Sequence, residues 1–140
     1  MENQRVGWAV NAFTDYAKHG HNVEHILDVI VLAWKAVDQA VRSVIGKGGV
    51  DALFYRSIEA TAVAYPWIGT ALRDAHPTMD LETLRIVLLT QKPIHFAAAS
   101  DALLLQFHHL LANLIGLSLT ERLLRPVLDP LLESLATKDI

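Results

Sequence analysis

Seven apolar residues, Val23, Leu27, Ile30, Trp34, Val37, Val41 and Val44, step along the chain by four and three without a miss. Side chains at that spacing fall on one stripe of an α-helix, whereas a strand would need strict alternation. The stripe lasts three heptads, so the helix that carries it is about 34 Å long at 1.5 Å per residue. A seam of that length has to be covered, either by other helices of the same chain or by a second chain. Ala33, Ala36 and Ala40 add a second stripe, small enough for another helix to approach closely.

The rest of the sequence reads as helix as well. Val6, Val10, Phe13 and Ala17 mark an opening amphipathic helix that ends near His19-Gly20. A third long helix is expected from about Pro93 to Ile115, with Phe96, Leu103, Phe107, Leu110 and Leu114 on one face. Val50 to Ala64 is helical until Tyr65-Pro66, because the residue before proline avoids the α region. "PWIGTALRDAHP" is at most a short helix closed by Pro77. Asp80 suits an N-cap, with Met79 packing on Leu84 as a hydrophobic staple. Pro126 and Pro130 are expected to interrupt the last helix, Asp129 capping a new short one at Pro130. The expectation is an all-α bundle of about six to seven helices, folded as a single domain over residues 1–140.

Composition narrows what such a bundle can do. A formal charge of -3, scattered along the chain, leaves no basic stripe for nucleic acid or an anionic membrane. The most apolar window, "ALLLQFHHLLANLIGLSL", is 18 residues long and broken by Gln106, His108, His109 and Asn113, so it reads as a buried helix rather than a membrane span. The opening "MENQRVGWAVNAF" lacks the basic start and apolar run of a signal peptide. With no cysteine, disulfides, thiolate metal sites and cysteine nucleophiles are all excluded, and a reducing, cytoplasmic setting fits. Yet 52% hydrophobic residues and a mean hydropathy of +0.29 are high for a small soluble monomer. The surplus predicts a homodimer, through the Val23–Val44 seam or the Pro93–Ile115 helix.

"VIGKGGVDALFYRSI", Val44 to Ile58, puts a lysine among three glycines ahead of a helix, as a phosphate cradle would. It has a twin half the chain away. "LIGLSLTERLLRPVL" begins at Leu114 and pairs Ile45 with Ile115, Gly46 with Gly116, Asp51 with Glu121 and Leu53 with Leu123. Upstream, Trp34, Val37, Val41 and Val44 pair with Leu104, Phe107, Leu111 and Leu114. Each copy reads as a long helix, a glycine stop and a shorter helix with an acid in its first turn, which predicts two pseudo-repeated helical hairpins offset by 70 residues. Ser118-x-x-Glu121 is expected to form a capping box, with Gly48-x-x-Asp51 its weaker counterpart. Where the first copy has Lys47-Gly48-Gly49 the second has Leu117-Ser118-Leu119. What the copies share is therefore the bend. An acid in the first turn also opposes an anion there, and the spacing of a phosphate-binding loop is missing.

Histidine is the one plentiful reactive side chain, with seven copies. "HNVEH", His21 to His25, fits H-x-x-E-H, in which two histidines one helical turn apart hold zinc and Glu24 activates water. The same residues serve equally as a polar first turn beside an Asn22 cap. His108 lies in line with Leu104, Leu111 and Ile115 and is expected to be buried, so it needs partners. It suits a packed core histidine, a pH-sensitive dimer contact, or a ligand to haem, to a metal or to a small molecule held between helices with Trp34 and Phe107. Tyr65 and Trp67, on the proline corner "YPWI", either plug the edge of the core or, with Trp34, anchor a partner. No serine-histidine-acid set, carboxylate pair or dinucleotide loop stands out.

"VIGKGGVDALFYRSIEATAVAYPWI" together with "LIGLSLTERLL" resembles a pattern of small helical bacterial proteins and domains associated with signal-transduction genes, over roughly Ile26 to Ile68 and Leu103 to Leu124. That group has no established activity, so the resemblance implies a regulatory module and carries over no catalytic residue. The function expected is a non-catalytic, cytoplasmic bacterial signalling module with no cofactor, meeting itself and a protein partner through helix faces. A small-molecule or haem sensor built around His108 and a zinc hydrolase built on His21, Glu24 and His25 are the alternatives.

Overall fold

The computed structural model describes residues 11–20, 22–72 and 79–137. Among them lie five α-helices and no strand: α1 (Ala12–Lys18), α2 (Val23–Thr61), α3 (Leu81–Leu89), α4 (Pro93–Ile115) and α5 (Leu117–Thr137), with a 3-10 helix at Pro66–Leu72 between α2 and α3. The start expected for the opening helix at Val6 falls outside the described residues. No helix among them is long and apolar enough to cross a membrane.

The helix starts follow local chemistry. Asn22 caps α2, its Oδ1 accepting from the backbone N–H of Glu24 at 2.8 Å and of His25 at 3.2 Å. Asp80 caps α3, accepting from the Thr83 N–H at 3.1 Å and the Thr83 hydroxyl at 2.8 Å. Behind that cap Leu84 is buried and Met79 packs on the core. α4 begins with Pro93 in its first turn, where a missing N–H costs nothing.

α2 is one helix only in outline. Gly46 sits at φ 80°, ψ 165°, a region open essentially to glycine alone, and splits it into two arms. Trp34 on the first arm and Phe54 on the second would lie about 30 Å apart on a straight helix. Their ring centroids are instead 5.1 Å apart, so the chain turns back sharply at the glycine. Gly116, at φ 93°, ψ 151°, makes the same kind of turn between α4 and α5.

The prolines of the last helix behave differently from expectation. α5 runs unbroken through Pro126 and Pro130. Both are exposed and stand four residues apart on the solvent side, and the carbonyl that each deprives of a donor belongs to an exposed residue, Arg122 or Pro126. Water can serve those carbonyls, while buried Leu124, Leu128 and Leu132 hold the opposite face on the core. With α2 counted whole, the total is five α-helices among the described residues, against the six to seven expected.

The long seam is covered from within. Leu27, Ile30, Trp34, Val37 and Val41 are each at most 1% exposed, and only its ends, Val23 and Val44, reach solvent. α2 lies chiefly against α4 and α5. Trp34 stands edge-on to Phe54 and also to Phe107 of α4, 5.3 Å away at 79°. The centre of the seam is thus closed by the second half of the same chain and is not open to a sister subunit.

Trp34→Ala should cost about 3–5 kcal/mol in urea unfolding, and a loss under ~1 kcal/mol would mean the ring is not seated as described. Alanine at Gly46 or at Gly116 should each cost roughly 1–3 kcal/mol. Gly48→Ala, in a helical position with nothing within 4 Å of a new methyl, should be neutral or stabilising by up to about 1 kcal/mol.

Candidate functional site

The lysine bend is tied up locally. Lys47 Nζ donates to Asp51 Oδ2 at 2.9 Å, one helical turn on. The other oxygen of Asp51 accepts from the Met79 backbone N–H, also at 2.9 Å, which fastens the segment entering α3 onto α2. Asp51 is 7% exposed and works as a tertiary clamp. Its twin does the same. Glu121 is used not in a capping box with exposed Ser118 but against His108 and Arg125. Asp51 and Glu121 thus each reach a group outside their own helix.

α4 carries two buried ionisable groups seven residues apart, hence on one face. Asp101, 3% exposed, accepts from the Phe13 N–H at 2.9 Å, the Thr14 N–H at 2.8 Å and the Thr14 hydroxyl at 2.6 Å. It therefore supplies the first turn of α1 with the acceptor that Asn11, which makes no side-chain cap, does not. Burial pushes its carboxyl up to about 6, the three hydrogen bonds opposing the rise without cancelling it. Nothing in the apolar run "FAAASDALLL" marks Asp101 as functional, but a lone carboxylate with no cation within four residues signals that backbone donors must come from elsewhere.

His108 is 3% exposed, with Nε2 3.5 Å from Glu121 Oε2 across the Gly116 turn. Arg125 Nη1 stands 3.5 Å from the other Glu121 oxygen, and its Nε 3.4 Å from Asp129. Burial holds the His108 imidazole below its ordinary value, and Glu121 pulls the other way without prevailing. The histidine thus joins α4 to α5 through a buried carboxylate.

The other candidate residues are scattered. Trp34 and Phe107, the latter on the helix that carries His108, pack edge to face in the core. Tyr65 and Trp67 are half-buried against the core edge, their rings 6.3 Å apart. Of the zinc motif, His21 lies outside the described residues, Glu24 is exposed, and His25 rests against the Tyr16 ring at 5.7 Å. Among the described residues no group of three or more metal-capable side chains comes together.

A groove of about 400 Å³ lies between the second arm of α2 and the end of α4, lined by Gly49, Ala52, Leu53, Arg56, Leu110, Asn113 and Leu114. Leu114 is 60% exposed and Leu117, just past the turn, 41%. Arg56 makes no ion pair among the described residues. An apolar trough edged by an arginine suits an amphipathic segment better than a reaction centre. The periodicity of α4 placed Leu110 and Leu114 on an apolar face, but the groove exists only because the Gly46 turn brings the second arm of α2 alongside.

The chain matches no protein family, no curated protein and no solved structure.

Asp101 gives a pH test. Its carboxyl binds protons more tightly folded than unfolded, so its contribution to stability is fully present below about pH 4 and is lost as pH rises through about 6. Measured against Asp101→Asn in urea, the wild type should gain about 2 kcal/mol between pH 7 and pH 4. A difference that stays flat over that range would show the carboxyl to be unperturbed.

Proposed function

We propose that this chain is a non-catalytic regulatory module of bacterial type that works by helix-face association through the groove beside Leu114, and that it dimerises there. The observation that carries the reading is the contrast between groove and polar groups. Asp51, Asp101 and Glu121 are each occupied in holding one element to another, as the Met79, α1 and His108 contacts show. The exposed apolar side chains Leu114 and Leu117, by contrast, gather at one turn beside an open trough. The resemblance to small helical proteins of signalling genes supports the regulatory part, and the lack of cysteine fits a cytoplasmic setting.

The same reading takes the fold as two copies of one helical hairpin. Ile26, Leu27, Val29, Ile30, Ala33, Trp34, Val37 and Val41 are buried, and so are their counterparts 70 positions on, Phe96, Ala97, Ala99, Ser100, Leu103, Leu104, Phe107 and Leu111. Val44 and Leu114, just before the two glycines, are both exposed. The two glycines share one backbone conformation. Alanine variants of Gly46 and Gly116 whose unfolding costs differed several-fold would count against the duplication.

Leu114→Glu tests the groove, because that side chain is solvent-facing and its replacement should leave the fold intact. Sedimentation equilibrium should show a wild-type dimer whose dissociation constant rises at least about tenfold in the variant, with an unchanged far-ultraviolet spectrum. A dimer indifferent to this charge would place the association elsewhere.

A further inference from the structure

We infer that the occupant of the groove is α3 of a second copy of this chain, exchanged reciprocally so that two such contacts close a two-fold dimer. The inference rests on the groove being the working surface, as proposed above, and names what enters it.

α3 is the outlying helix of the fold and presents two unlike faces. Leu84, Val87 and Leu88 point into the core. Outward it shows Glu82, Ile86 and Leu89, at positions i, i+4 and i+7, with Ile86 62% and Leu89 52% exposed. One acid followed by two large apolar residues at helical spacing is the form of a segment that lies in an apolar groove.

The groove matches that face in length, size and charge. Along the second arm of α2 its wall is Gly49, Ala52 and Arg56, at i, i+3 and i+7. Both strips therefore span seven residue steps, about 10.5 Å on a helix. Laid antiparallel, Glu82 of the incoming α3 meets Arg56, Ile86 sits over Ala52, and Leu89 reaches the Gly49 end. Leu53, Leu110 and Leu114 supply the apolar side of the trough. Like Arg56, Glu82 makes no ion pair among the described residues. The pairing thus joins a cation and an acid that have no ion-pair partner among the described residues, and the two small residues on α2 leave room for an approaching helix.

Charge exchange in the full-length protein decides the matter. Arg56→Glu and Glu82→Arg change exposed side chains, and circular dichroism checks that each variant is folded. By sedimentation equilibrium each single variant should raise the dimer dissociation constant about tenfold or more, because each sets like charges opposite one another. The double variant, with the pair reversed, should return to within about threefold of wild type. If Leu114→Glu breaks the dimer while Glu82→Arg leaves it as tight as wild type, the groove is in use but α3 is not its occupant, and this inference alone falls. If the double variant is as weak as the singles, the Arg56–Glu82 pairing is overturned. A dimer untouched by Leu114→Glu, or a wild type that is monomeric throughout, removes the groove reading and this inference together.

Discussion

The Trp34 indole is the point at which three pieces of helix are joined. It belongs to the first arm of α2, and its two ring neighbours, Phe54 and Phe107, belong to the second arm and to α4. Its burial is possible only if the Gly46 turn brings the second arm back and α4 covers the remaining side. Hydrophobic burial of a ring this large is among the greatest single contributions a small core can contain. Two conditions must be met together for it: a residue able to adopt φ 80° at position 46 and a second long helix carrying an aromatic side chain at position 107.

Around that centre the polar interior acts as a set of fasteners. α4 is the common member, holding α1 by the Asp101 carboxylate and α5 by the His108–Glu121 contact. Asp51 holds the entry to α3, and an exposed Arg85–Asp28 pair at 2.9 Å joins α3 to the first arm of α2. Buried charges of this kind add little net stability, because desolvation offsets much of the attraction. What they do is fix which element lies where, since a misplaced helix would leave a carboxylate buried without its donors.

Features governed by neighbouring residues were legible in the sequence. The α4 boundaries, the Asp80 and Asn22 caps, and the stops at Gly46 and Gly116 all follow from chemistry within a few positions. Features governed by the far side of the fold were not. The prolines of α5 are strong breakers in isolation, and are tolerated here because Leu124 and Leu128 anchor the opposite face and the deprived carbonyls belong to exposed residues. Glu121 looked like a capping residue until the Gly116 turn placed His108 within its reach. The groove was half visible, since α4 periodicity offered Leu110 and Leu114, but its other wall depends on how sharply α2 doubles back. The Val23–Val44 seam was read correctly as apolar and helical, while its cover turned out to be α4 and α5 rather than a second chain.

The turn at Gly116 is a single residue long, with Ile115 closing one helix and Leu117 opening the next. Such a joint has no slack. Adding or removing one residue inside either flanking helix would rotate everything beyond it by about 100°, carrying Leu124 and Leu128 out toward water and bringing the proline side inward. Chains built on this plan should therefore tolerate change of side chain far more readily than change of length, with insertions confined to the stretches outside the two hairpins.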